Sequence, residues 1–142
     1  MPRKVRPIRV CGGVAYVTLT QGYEAIIGAA DVPLVESWNW FAMVQSHTVY
    51  AIRKEYNGTK QRTICLHRVV MGEPEGLQVD HEDGDGLNNQ RYNLRVASSF
   101  QNSHNRRVSS NNKSGFKGVC WNKGSGKWLA QIGFNSGKKY LG

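Results

Sequence analysis

Short runs rich in β-branched and aromatic residues, each broken within a few positions by a turn signal, restrict what the first 65 residues can fold into. Val14 to Thr20 is one such run, and Gln21-Gly22 turns it into Tyr23 to Ile27. Trp38 to Val44, Val49 to Arg53 and Gln61 to Leu66 repeat the pattern. Between the last two stands Asn57-Gly58, the dipeptide that readily takes the positive φ angles of a tight hairpin. Segments of this length make strands more readily than helices. Residues 1–65 are therefore expected to be an antiparallel sheet with one short helix, Val32 to Trp38, capped by Asp31. Pro33 falls in its first turn, where a missing N–H costs little.

Beyond residue 65 the pattern changes. His67-Arg68-Val69-Val70-Met71, stopped by Gly72, suits a helix of one or two turns. Leu77-Gln78-Val79 reads as a short strand that delivers Asp80 and His81 into a loop rich in Gly and Asn, residues 84–89. Ala97 to Arg106 can form a helix capped near Ser98, which turns Asn102 back toward that loop. Residues 108–115 have the composition of a linker. After them come Phe116 to Asn122, Lys127 to Phe134 and Lys138 to Leu141, separated by Lys123-Gly124-Ser125-Gly126 and Asn135-Ser136-Gly137, as in a three-stranded β-meander. Trp128, Ala130, Ile132 and Phe134 share one of its faces by alternation. The fold class is α+β, with divisions at 1–65, 66–107, 108–115 and 116–142.

Charge separates the two ends of the chain. All ten acidic residues lie at or before Asp85, whereas residues 86–142 hold ten Lys or Arg and no acid, within a net charge of +9. Such a surface suits a polyanion, because phosphate contacts release condensed counterions. No apolar run is long enough to span a bilayer, and the basic N-terminus lacks the apolar stretch of a secretory signal, so a cytoplasmic protein of a bacterial or phage-infected cell is expected. Cys11, Cys65 and Cys120 form no CxxC pair and are expected as buried thiols rather than zinc ligands.

Residues 80–102 carry the chemistry. Asp80-His81 sets an anionic oxygen donor beside a group with an ordinary pKa of about 6.5, able to accept a proton at neutral pH. Asn102 adds a neutral amide oxygen, and carboxylate and amide oxygens suit Mg²⁺. Asp83-Gly84-Asp85 lacks the later ligands of a calcium loop and reads as a tight turn, and Asn88 and Asn89 read as satisfying the loop backbone. His67 reads as a core or loop-bridging histidine, although a phosphate contact is open to it.

Taken in order, Leu66-His67-Arg68, Asp80-His81-Glu82-Asp83-Gly84-Asp85, Asn88-Asn89, Asn93-Leu94-Arg95 and Gln101-Asn102 resemble the HNH homing-type endonucleases of phages and mobile elements. The resemblance implies a ββα-metal fold around one divalent ion, Mg²⁺ or another such as Mn²⁺. It casts His81 as general base, Asp80 and Asn102 as metal ligands, and Asn93 as the brace that orients His81. Arg68, Arg91, Arg95, Arg106 and Arg107 are candidates for phosphate contacts.

Past the linker, Gly115 to Lys123, Gly126 to Ile132 and Lys138 to Gly142 resemble the three strands of the APETALA and ethylene-response-factor DNA-binding domain. Lys117, Trp121, Lys123, Lys127 and Lys139 match its contacting positions. That family adds a helix over the other face of the sheet beyond the point where this sequence stops, so three expectations stand: a truncated chain, a sheet that leans on the nuclease body, or one that orders only on DNA. Lysines where the family has arginines imply positioning on the backbone more than base reading.

Together these readings imply a metal-dependent DNA endonuclease acting on double-stranded DNA, with no membrane association and with its oligomeric state undetermined. The alternative is a non-catalytic DNA-binding protein with a vestigial HNH loop.

Overall fold

The computed structural model describes residues 4–134 and 137–142. Asn135 and Ser136 of the expected last turn lie outside the described residues, as do Met1 to Arg3 and the side chains of Asn105 and Phe134. Eleven described strands fall into four small sheets, with few and short helices, in agreement with the α+β expectation. The chain forms two compact units, Met1–His104 and Asn105–Gly142.

In the first unit, β1 (Ile8–Cys11), β2 (Val14–Thr18) and β3 (Glu24–Gly28) form one antiparallel sheet. The β2–β3 hairpin lies where the sequence placed it, and its turn holds Gln21 and Gly22 at φ 60° and 78°. β1 had no clear signal, since Pro7 and the flanking charges mask a four-residue run. Alternation buries Ala15 and Val17 of β2 against Ala25 and Ile27 of β3. A second sheet joins β4 (Phe41–Val44), β5 (Val49–Asn57) and β6 (Lys60–Cys65), with Asn57 opposite Lys60 across the expected turn.

Between these sheets runs a 3-10 turn (Ala29–Asp31) leading into α1 (Val32–Val35), shorter than expected. Asp31 stands at the N-cap but makes no capping bond. Its Oδ1 instead accepts from Arg91 Nε and Nη2 at 3.0 and 2.7 Å, a charge-assisted pair stronger than a cap to a four-residue helix. Trp40, 1% exposed, completes this corner by donating its indole N–H to Val35 O.

α2 (Leu66–Val70) ends at Gly72, where φ is 75° and Glu73 N donates to Arg68 O. β7 (Gln78–His81) pairs with β8 (Leu94–Ala97), and α3 (Ser99–Asn105) follows. Ser98 Oγ accepts from Gln101 N while Gln101 Oε1 accepts from Ser98 N, a capping box. Leu66, Val70, Val79 and Leu94 share one core with Ala15, Val17, Ile27 and Trp40. Residues 4–65 and the motif after them are thus packed around one core.

The second unit is an antiparallel meander of β9 (Val119–Asn122), β10 (Lys127–Phe134) and β11 (Gly137–Tyr140). Before it, residues 112–116 are an ordered loop: Asn112 Oδ1 accepts from Ser114 N and Gly115 N, and Asn112 Nδ2 donates to Phe116 O. The cysteines depart from expectation. Cys11 and Cys120 are exposed and Cys65 is intermediate, because strands this short have one open face.

Candidate active site

The loop from Glu82 to Gln90 is held by its own polar side chains and by both N-terminal sheets. Asn93 is its knot: Nδ2 donates to Asp83 Oδ1 and Asn88 O, while Oδ1 accepts from Asp83 N. Asp83 also accepts from Asp85 N and Asn88 Nδ2. Slight burial would raise the Asp83 pKa, but these hydrogen bonds outweigh it and lower it.

Outside the loop, Ile26 N donates to Leu87 O and Asn89 N to Ile26 O, so the loop adds a parallel bridge to β3. Gly86 N donates to Thr48 Oγ1 beside β5. None of these anchors was legible locally, since Ile26 and Thr48 lie dozens of residues upstream.

His81 ends β7 opposite Leu94 and is 6% exposed. Its Nε2 lies 3.1 Å from Asn89 Oδ1. Asn89, fully buried, directs its Nδ2 to Leu87 O and Gly86 O, which makes Oδ1 the acceptor and places the imidazole proton on Nε2. The Nδ1 lone pair is left for another partner. Asn89 therefore does more than satisfy the loop backbone, although nothing in its local sequence signals the second role.

His67 stands beside it, with ring centroids 4.9 Å apart at 76°, and Tyr50 is 5.8 Å from each ring. His67 is 9% exposed and its Nδ1 is buried without a partner. Burial first, then the neighbouring His81 and Arg68, lower its pKa from 6.5 to about 4. Burial, followed by Asp80, raises that of Tyr50.

A consequence for stability follows from linkage. The folded state binds the His67 proton less well than the unfolded chain does, so stability is full above pH 6.5 and declines as pH falls toward 4. Urea melts of the parent should lose about 2 kcal/mol between pH 7 and pH 5 through this group, and His67→Phe should remove most of that loss. An equal pH dependence in both proteins would refute the assignment.

Asp80 points to the other side of the ribbon, where its Oδ2 accepts from the cross-strand Arg95 at 2.8 Å. Asn102 on α3 donates Nδ2 to Gln78 Oε1, two positions before Asp80 on the same strand face. Two oxygen donors, one anionic and one neutral, are thus carried on elements that meet at one face, a set that fits a hard divalent ion retaining most of its waters. Among the described residues, no group of three or more His, Cys, Asp or Glu converges on a point.

The arginines have mixed assignments. Arg91 pairs with Asp31, Arg95 with Asp80, and Arg68 donates to Leu77 O and Pro74 O, which braces the turn before β7. Arg106 and Arg107 are exposed in the second unit.

There the register sends the residues matched to contacting positions to both faces of the sheet. Trp121 pairs with Trp128, and Lys139 pairs with Ile132 on that same side, whereas Lys127 pairs with Asn122 on the opposite side. Strand alternation requires the split, because residues 127 and 128 are neighbours in one strand. Lys117 and Lys123 flank β9 in its connecting loops.

Residues 60–104 match the family described as HNH endonuclease. Over 80 residues the chain is 42% identical to Protein 3.8 of Escherichia phage T7, covering 56% of this chain and 66% of that protein. Over 108 residues it is 32% identical to an uncharacterized HNH endonuclease of Acanthamoeba polyphaga mimivirus, covering 73% of this chain and 56% of the other. The chain thus spans about two thirds or less of each relative. No solved structure matches it.

Proposed function

We propose, from the match of residues 60–104 to the family described as HNH endonuclease, that the protein is a divalent-metal-dependent DNA endonuclease with His81 as general base. The observation that carries this reading is the buried bond from His81 to Asn89, which leaves Nδ1 as the proton acceptor. Asn89 holds the ring in that tautomer. Asn93 keeps the loop closed behind it. His81 Nδ1 takes a proton from the attacking water, and Tyr50 and His67 exclude other solvent from the ring.

Asp80 and Asn102 are the proposed ligands of one Mg²⁺ or Mn²⁺ ion. When bound, such an ion supplies charge stabilisation for the phosphate and the departing oxygen. Arg95 holds Asp80 Oδ2 in the meantime and compensates its charge. Neutral His67 adds no positive charge next to the base. Arg106, Arg107 and the lysines of the second unit are read as phosphate contacts on double-stranded DNA, in an infected bacterial cell. Among the described residues no helix is long and apolar enough to cross a membrane.

Supercoiled plasmid should be cut in the presence of Mg²⁺ or Mn²⁺ and left intact with chelator. Plasmid that stays supercoiled with either metal, across several DNA sequences, would overturn the nuclease reading. One observation favours the rival of a non-cutting DNA-binding protein: the His81 ring is almost sealed, at 6% exposure. Retained plasmid binding without cleavage is the result that rival requires.

A further inference from the structure

We propose that the second unit carries a stacking groove for unpaired nucleotides, built on Trp121 and Trp128. The two indoles meet edge to face across β9 and β10, with ring centroids 5.3 Å apart at 72°, and each is 48% exposed, which leaves ring surface open to a ligand. Together with the loop at residues 109–113 they line a cavity of about 710 Å³. That lies within the range of about 300–1,000 Å³ that accommodates compact organic ligands, so a nucleoside has room.

The walls specify the ligand further. Lys113 and Lys123 stand at the cavity beside Asn111 and Asn112. Asn112 holds the neighbouring turn through bonds to Ser114, Gly115 and Phe116, so this wall is organised without a ligand. Residues 105–142 contain eight Lys or Arg and no acid, which is complementary to a phosphate backbone.

Aromatic rings in a concave site are matched by a flat partner with its faces free. Bases in a duplex bury their faces in the stack and offer only edges, whereas an unpaired base can enter and stack, in a manner tolerant of sequence. Lysines act as mobile point charges that follow a backbone without reading bases. The groove therefore suits a single strand, such as a displaced or melted segment, and makes no use of His81 or the metal ligands.

The test uses the full chain in chelator, so that it does not depend on cleavage. Fluorescence anisotropy is measured with a labelled oligo-dT strand and with a duplex of equal length. Trp121→Leu and Trp128→Leu should each weaken single-strand binding about tenfold or more while changing duplex binding less than about threefold. Lys113→Gln combined with Lys123→Gln, which leaves the sheet and its tryptophans intact, should reduce the single-strand salt slope by about 1. Circular dichroism identifies any tryptophan variant that unfolds; Trp128→Phe, which keeps a ring, should then retain most of the single-strand affinity. Equal losses on both DNAs, no loss on either, or an unchanged salt slope in the lysine variant would overturn the proposal. So would binding to phosphatidylglycerol vesicles with none to the oligonucleotide.

Discussion

His81→Ala is expected to lower plasmid cleavage by about 100- to 10,000-fold, the range associated with loss of a positioned general base, while leaving plasmid affinity within about threefold. The residue sits at the end of β7, its backbone paired with Leu94 and its carbonyl accepting from Gly84 N in the loop, while its ring reaches Asn89. Removing the ring breaks one hydrogen bond and leaves the contacts of Asn93 with Asp83 and Asn88 in place. Asn89→Leu separates the roles further. It removes the acceptor for Nε2–H without touching the His81 ring, so cleavage should fall by less than in His81→Ala, with affinity again retained. Wild-type cleavage by His81→Ala under several metal concentrations would remove His81 from the chemistry.

Gly86→Ala should cost about 3 kcal/mol or more in urea melts and abolish cleavage as well. A Cβ at this position would lie 2.5 Å from Val49 O and 2.7 Å from Tyr50 Cδ1. The carbonyl belongs to β5, which is paired to β4 at Val44, so it has little freedom to retreat. Tyr50 is equally constrained, since its ring rests against both His67 and His81. Strain at Gly86 therefore passes directly to His81. Gly13→Ala is the contrasting case: nothing lies within 4 Å of its Cβ, and a change within about 0.5 kcal/mol is expected. If the two variants melt alike, the close approach of loop and sheet is wrong.

The elements that local patterning revealed are those whose instructions are local. Gln21-Gly22 and Asn57-Gly58 announce their hairpins because glycine accepts positive φ at little cost. Ser98 and Gln101 write their own capping box, and Gly72 ends α2. Asp80, His81, Asn93 and Asn102 stand out because they match the family's spacing, and in the structure Asn93 bonds to Asp83 and Asn88 across the loop. Asp31 was misread because a capping residue and an ion-pair partner look alike until Arg91, 60 positions away, is placed beside it. Lys127 and Trp121 both match contacting positions, yet the β9–β10 register, which pairs Trp121 with Trp128, sends them to opposite faces, and local sequence carries no such register.

By itself the sequence determined the chemistry available: a carboxylate, an imidazole and amide oxygens near one turn, and a cationic half without acids. Local preferences and residue types suffice for that, because they do not depend on distant contacts. The tertiary structure alone decided how those groups are held. It packs the loop between β3 and Thr48, buries His67 beside His81, and points Asn89 Oδ1 at Nε2. It also sets Trp121 against Trp128 over an open cavity. Each of these joins residues through a packing register or a buried hydrogen bond, and such pairings are fixed only when the whole unit excludes water.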